Sequence, residues 1–321
     1  MYKDKKISVV VPAYNEETQI EKVVLTMPDL VDKIIIINDC STDSTKTVVE
    51  ELVGRDPRVV LINHEVNQGV GGAIATGYIW SRDNDIEISV VMAGDAQMDP
   101  RDLISIVDPV AEGIADYSKA NRLITGDAYN QIPKIRFFGN SVLSLMTKVA
   151  SGYWNVSDSQ TGYTAINRKA LETIEWSKMY KRYGQPNDLL VKLNIHDFKV
   201  VDVPTEPVYH VGEKSGIKIH KVIFTIGSLL VRLFFLRMFE KYYKRDFHPL
   251  IFFYGFGLAM LFVSALFFIR MFFLWWQVGD VPEITMIAWI FTLSISFNSM
   301  FFAMWFDYET NKNLSFRLEA D

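Results

Sequence analysis

The chain has 321 residues, a formal net charge of −5 and 49% hydrophobic content. That length suits one sizeable domain with an appendage, and mild acidity without a dense basic stretch excludes nucleic acid as the expected partner. One cysteine, Cys40, leaves no internal disulfide and no cysteine-based metal site, and the five histidines (His64, His196, His210, His220, His248) lack zinc-motif spacing.

In chain order, strands are predicted at 7–12, 33–39, 59–63, 88–93 and 116–120, alternating with helices at 17–27, 42–53, 72–80 and 101–112. Several of these strands are apolar at nearly every position, as strands covered by helices on both faces must be. Ser41-Thr42-Asp43-Ser44 offers N-cap residues for the second helix, and Asp99-Pro100 a start for the fourth. Alternating βα units of this kind predict an α/β fold with a doubly wound, mostly parallel sheet. A helix at 134–150, a turn-rich stretch at 151–162, a strand at 163–167, helices at 168–176 and 187–194 and a strand at 198–204 complete the domain. The first strand begins almost at Met1, so no signal peptide is expected and the globular part is expected in the cytosol.

Past Gly216 the composition shifts to Phe, Leu, Ile, Met and Trp. Segments 249–269 and 284–306 each hold roughly 20 uncharged residues, the length that crosses a bilayer. The link between them, Gln277-Val278-Gly279-Asp280-Val281-Pro282-Glu283, has no Lys or Arg, whereas Lys241, Lys244 and Arg245 precede the first segment and Lys312 and Arg317 follow the second. The positive-inside rule then puts both ends in the cytosol and the link outside. Arg270 can snorkel to the outer interface beside Trp275 and Trp276. Segment 219–247 mixes Lys221, Arg232, Arg237 and Lys241 with bulky apolar residues, which suits one or two helices lying in the membrane surface against lipid headgroups. The expected organisation is a cytosolic domain at 1–217, amphipathic juxtamembrane helices at 218–247, a two-helix transmembrane hairpin at 248–306 and a cytosolic tail at 307–321.

Three of the predicted strands run straight into acid or amide side chains: Tyr14-Asn15-Glu16-Glu17, Asn38-Asp39 and Gly94-Asp95-Ala96-Gln97. In a parallel sheet such strand ends share one edge, and ligands bind in the crevice there. Carboxylates gathered on that edge repel one another unless they hold something cationic or donor-rich, and a divalent metal carrying a nucleotide diphosphate fits. Tyr14 and Glu16 can cradle a base or simply open the next helix, and Asp39 can bind a nucleoside or serve the turn. The cluster Asn67-Gln68-Gly69-Val70-Gly71-Gly72 can bring backbone N–H groups to a phosphate at a helix start. Asp95 and Gln97 alternate, so in an extended segment they face one side and offer the hard oxygen ligands that Mg²⁺ or Mn²⁺ prefers.

Together with Gln160-Thr161-Gly162-Tyr163, these segments resemble family 2 glycosyltransferases of the GT-A fold, in the polyprenyl-phosphate glycosyltransferase branch that includes dolichyl-phosphate mannose synthase. The resemblance implies that Pro12, Tyr14, Glu16 and Asp39 bind the nucleoside; Gly71, in the glycine cluster that can face a phosphate, is the further nucleotide-binding candidate. The resemblance also implies that Asp95 and Gln97 hold the cation, that Arg122 and Arg136 contact the acceptor phosphate, and that Lys214 lies near the phosphates; Asp95, Arg122 and Arg136 then carry the catalysis. Two positions depart from the family pattern. Its Asp-x-Asp motif reads Ala93-Gly94-Asp95 here, one carboxylate short, and Cys40 stands where glycine is usual, a tolerated turn substitution. The Gln-x-x-Arg-Trp motif of processive synthases is replaced by Gln185-Pro186-Asn187-Asp188, and two spans cannot build a polymer channel.

The expected reaction is therefore transfer of one hexose from a UDP- or GDP-sugar to a polyprenyl monophosphate, with inversion. The phosphate nucleophile is already an anion and needs no strong base. Asp158 and Asp188 remain second-tier candidates that orient the sugar or act as base, or serve only as cap or loop acids. The expected partners are a nucleotide sugar, a polyprenyl phosphate and membrane lipids, and a homo-oligomer is compatible with them. The competing readings are a membrane glycosyltransferase acting on a lipid or glycan hydroxyl, with Asp188 as base, and a catalytically silent membrane scaffold.

Overall fold

Val9 and Val11 of the first strand enter one core and Val10 another, and all three are fully buried. The second strand repeats the division, Ile34 and Ile36 against Ile35 and Ile37. Apolar character at every position is thus the consequence of a sheet covered on both faces. The computed structural model describes residues 1–121, 134–158, 161–205 and 219–318, with the backbone alone for 134–141 and 219–223.

The described strands are β1 (Ile7–Ala13), β2 (Lys33–Asn38), β3 (Val59–Asn63), β4 (Ile88–Val91), β5 (Tyr117–Asn121), β6 (Thr164–Asn167), β7 (Val200–Pro204) and β8 (Ser315–Arg317). They form one sheet in the order β3-β2-β1-β4-β6-β5-β7-β8. Only β6 runs antiparallel to its neighbours. The helices α1 (Ile20–Leu25), α2 (Thr45–Arg55), α3 (Val70–Asp83), α4 (Leu103–Ala111), α5 (Lys134–Ser151), α6 (Arg168–Thr173), α7 (Gln185–Ile195) and α8 (Ile219–Arg237) follow in chain order. Val23, Leu52 and Ile106 of α1, α2 and α4 close one core. Tyr78, Leu171 and Leu190 of α3, α6 and α7 close the other. From β1 the chain winds outward through β2 and β3, then returns to β4 on the other side of β1. That reversal opens a crevice at the C-terminal ends of β1 and β4.

The chain separates into two compact units, Met1–Phe234 with Asn313–Asp321, and Phe235–Lys312. Parts of two expected segments pack within the first unit. Inside 218–247, Ile226 and Leu230 pack with Ala150, and Leu233 with Val191 and Ile195, while Phe224 and Val231 stay exposed. Part of the expected cytosolic tail at 307–321 joins the sheet. Ser315–Arg317 extends the sheet beside β7, where Asn155 Nδ2 donates to Ser315 O (2.7 Å) and Arg317 Nε donates to Asn155 O (2.9 Å). Backbone pairing at a sheet edge needs no apolar pattern, so nothing in Ser-Phe-Arg announced it.

In the second unit a π-helical segment, Met238–Arg245, precedes α9 (Leu250–Val278) and α10 (Glu283–Asn311). Gly279, at φ 80°, ends α9 and returns its N–H to Trp275 O (2.9 Å). Ser296 and Ser299 hydroxyls donate to the carbonyls of Gly257 and Phe253, each at 2.8 Å. Arg237 pairs through both terminal nitrogens with Asp307 (2.8 Å each), and Tyr242 and Asn311 donate to the same carboxylate. All of these groups are buried, and hydrogen bonding on every side is what makes such a buried ion pair tolerable. Both α9 and α10 are long and apolar enough to cross a membrane. Each outruns the expected 249–269 and 284–306, because a helix does not end where its apolar core does.

Candidate active site

The loops leaving β1 and β2 are stapled crosswise. Thr42 N–H donates to Asn15 Oδ1 (2.8 Å), Asn15 N–H to Ser41 Oγ (3.0 Å), Ser44 N–H to Glu17 (2.8 Å) and Glu17 N–H to Asp43 (3.2 Å). α2 begins at Thr45 rather than at Thr42: Ser41 Oγ, the Thr42 N–H and the Ser44 N–H bond to the neighbouring loop, and Asp43 accepts from the Thr45 N–H (3.0 Å). Burial works against ionising Asp43, but hydrogen bonds from Thr45 and from the Glu17 N–H outweigh it and hold its carboxyl below the usual range.

The loop after β4 lies against the same wall. A Cβ on Gly94 would stand 3.2 Å from Pro12 O and 3.4 Å from Glu16 Cγ, so the Asp95 loop runs close against the β1 loop there. Pro12, Tyr14, Glu16 and Asp95 are thereby gathered at the crevice between β1 and β4, with Tyr14 49% exposed. Each of the three loops also holds a non-glycine residue in the left-handed region: Asn15 (φ 58°), Cys40 (φ 62°) and Ala96 (φ 58°). Four further such residues, Lys3, Asp4, Asp85 and Asp197, lie in turns away from this edge, so the left-handed conformation marks tight turns here rather than the site itself.

Asp39 reaches the edge but is largely consumed by its own chain. Its side chain is 5% exposed. His64 Nδ1–H (2.7 Å) and Gln68 N–H (2.8 Å) donate to Oδ1, and Gly69 N–H (2.7 Å) to Oδ2. Gly71 is corrected too. Its N–H donates to Lys181 O (3.0 Å), as does that of Gly72 (3.3 Å), so the groups expected to face a phosphate cap α3 onto protein. A Cβ on Gly71 would stand 2.2 Å from Tyr180 O, so that glycine serves a backbone crossing.

Asp95 and Gln97 are not on an extended segment. The chain turns at Ala96, and Gln97 N–H donates to Asp95 Oδ1 (3.1 Å), an Asx-type turn. The alternation argument for their shared direction therefore fails, although the turn keeps both half-buried at the crevice. Asp95 Oδ2 and the Gln97 amide make no hydrogen bond among the described residues. Asp99 is committed elsewhere: the Arg101 guanidinium bonded to it holds its carboxyl below the usual range. Among the described residues no group of three His, Cys, Asp or Glu side chains can hold a metal ion. One carboxylate and one amide oxygen do fit a hard ion that arrives with phosphate, because Mg²⁺ typically takes one or two carboxylates and completes its shell with phosphate oxygens and water.

Strand β5 runs parallel to β4 with β6 between them, so its C-terminal end, Asn121, meets the same edge about 10 Å away. Arg122 and Lys214 lie outside the described residues, and Arg136 falls on the first turn of α5, where the backbone alone is described. The second-tier acids are buried. Asp188 accepts from Tyr180 N–H and from Lys192 Nζ, both at 2.7 Å. Asp158 offers its backbone carbonyl to Lys119 Nζ.

Sequence reasoning missed two supports. His64, treated as one of five scattered histidines, joins Asp39 to Thr76 Oγ1 (2.9 Å); its place directly after β3 was the available signal. Asp202, fully buried, accepts from Asn121 Nδ2 (2.7 Å) and Ser157 N–H (2.9 Å) and lies 3.7 Å from Lys119 Nζ. It ties the ends of β5 and β7 beneath the edge, and no local pattern announces it.

Residues 8–175 match the family described as Glycosyl transferase family 2. A UDP-N-acetylglucosamine–dolichyl-phosphate N-acetylglucosaminyltransferase of Methanococcus voltae is 30% identical over 219 residues, spanning 64% of this chain and 87% of that protein. A polyprenol monophosphomannose synthase of Mycolicibacterium smegmatis is 27% identical over 231 residues, 70% of this chain and 86% of that one. Among solved structures, a mannosyltransferase from Pyrobaculum calidifontis in complex with GDP-Man and Mn²⁺ superposes with a TM-score of 0.50 at 14% identity, over 96% of this chain and 88% of that one. The chain belongs to glycosyl transferase family 2, and its sheet is of the GT-A type.

Proposed function

We propose that the protein transfers a single hexose from a UDP- or GDP-sugar to a polyprenyl monophosphate, with inversion at the anomeric carbon. The observation that supports the reading is Asp95: a half-buried carboxylate whose Oδ2 makes no hydrogen bond among the described residues, in the loop that passes Pro12 O and Glu16 at Gly94. The relatives act on dolichyl or polyprenol phosphates by their names, and they align over the same domain.

Tyr14 offers a half-exposed ring for the base, and Glu16 and the remaining lone pair on Asp39 Oδ2 offer acceptors for base or ribose donors. Asp95 and Gln97 would hold Mg²⁺ or Mn²⁺, which when bound neutralises charge on the departing diphosphate. Arg122 and Arg136 supply planar paired donors that hold the acceptor phosphate in line. As the phosphate oxygen bonds to the anomeric carbon, the bond from that carbon to the diphosphate oxygen breaks, and no proton has to be removed. An acceptor hydroxyl would need a base, and Asp188, already bonded to Tyr180 and Lys192, is badly placed for it.

Helices α9 and α10 span the membrane with the 279–282 turn outside, keeping the catalytic unit on the cytosolic side where the acceptor headgroup lies. The test is purified protein with labelled UDP- and GDP-sugars, Mg²⁺ or Mn²⁺, and polyprenyl phosphate, polyprenol and diacylglycerol in competition. A lipid-linked sugar formed on the phosphate alone is the expected result; product on a hydroxyl acceptor, or none on any, overturns it.

A further inference from the structure

Helix α10 has two opposite faces. Thr285, Ser296, Ser299, Ala303 and Asp307 are buried. On the other side Ile287, Phe291, Ser294, Asn298, Phe301 and Trp305 are all exposed. Their spacings alternate between four and three along the sequence, so they form one stripe down the helix, within a wider exposed face that also holds Ile290, Phe297, Phe302 and Phe306. Asn298 lies near the middle of α10 and makes no hydrogen bond among the described residues. If α10 spans a bilayer, as proposed above, that amide faces hydrocarbon, where polar side chains almost always find a partner.

A lipid chain does not meet this need. The groove of about 400 Å³ beside Asn298, lined by Phe252, Phe256, Ile295 and Phe302, can take an apolar chain, but such a chain offers the amide no donor or acceptor. A second copy of the same helix does. An amide is both donor and acceptor, so it is complementary to itself across a two-fold axis. Copies inserted in the same direction pair α10 in parallel and bring equivalent residues face to face. Ser294, one turn away, is small enough to let the backbones approach. A single asparagine in an otherwise apolar seam fixes register and favours a defined oligomer.

We propose that the exposed seam of α10 is a parallel homodimer interface, with Asn298 pairing to the same residue of a second copy. This rests on the membrane-spanning reading, and the experiment separates the two. In a Cys40→Ser background, Phe291→Cys, Ser294→Cys, Phe301→Cys and Trp305→Cys are oxidised one at a time in membranes, with Phe262→Cys and Phe272→Cys on α9 as exposed controls. Cross-linked dimer is expected at the four α10 positions and not at the α9 positions. By fluorescence energy transfer in vesicles at fixed protein-to-lipid ratio, Asn298→Leu is expected to weaken association about five-fold while Asn298→Gln largely keeps it. Cross-linking that is absent, or no stronger on α10 than on α9, in a chain that resists alkaline carbonate extraction, overturns the seam and leaves the spanning reading intact. A chain released by carbonate overturns both.

Discussion

Asp39 and Asp95 are the same residue type at the ends of two strands on one sheet edge, yet the structure treats them oppositely. Three donors from its own chain converge on Asp39, and its side chain is nearly inaccessible. Asp95 receives one N–H from the next turn and stays half-buried. A carboxylate at a strand end is therefore a binding group only to the extent that its own loop leaves it acceptor capacity. Asp39 is chiefly a brace that positions the corner, whereas Asp95 Oδ2 makes no hydrogen bond among the described residues.

The contrast can be broken most directly at Asp95. Asp95→Asn is expected to lower kcat by about 10³-fold, since charge stabilisation at a reacting centre is worth that much, while the melting temperature stays near wild type. A folded variant with unchanged turnover would remove the distinction. Asp39→Ala should do the reverse in kind, costing about 3 kcal/mol of stability in denaturant unfolding because buried donors lose their acceptor; an unchanged midpoint would show the brace to be unnecessary. Asp188→Asn sharpens the comparison with a third acid: a loss of about 1–2 kcal/mol is expected from the weakened Lys192 pairing, with kcat on polyprenyl phosphate within a few-fold of wild type. A collapse of kcat there would reinstate it as a base. The smallest effect belongs to Cys40, held at φ 62°. Cys40→Gly should raise stability by about 0.5–1 kcal/mol, as glycine relieves left-handed strain but adds chain entropy; a loss would mean the Sγ contact to Glu65 O outweighs the strain.

Much of the edge was legible beforehand. Ile7 to Val11 and Ile34 to Ile37 could be read as strands because both faces needed apolar residues, and Tyr14, Glu16, Asp39 and Asp95 followed as their polar exits. What escaped was set by contacts distant in sequence. The donors to Asp39 come from 25 to 30 residues away, the carbonyl that caps Gly71 belongs to Lys181, and β8 returns from beyond the hairpin. The turn at Ala96 was hidden for a local reason, since alanine carries no signal for positive φ.

By itself, then, the order of apolar runs and polar exits determined the α/β sheet, the crevice edge and two bilayer-length helices, because burial on both faces and the thickness of a membrane are written in composition and spacing. Only the tertiary structure decided which acid is bonded up by its own chain, which glycines admit a neighbouring backbone, and which face of α10 is left uncovered. Those outcomes depend on hydrogen bonds and contacts between residues far apart in the chain, and such pairings exist only once the elements have packed.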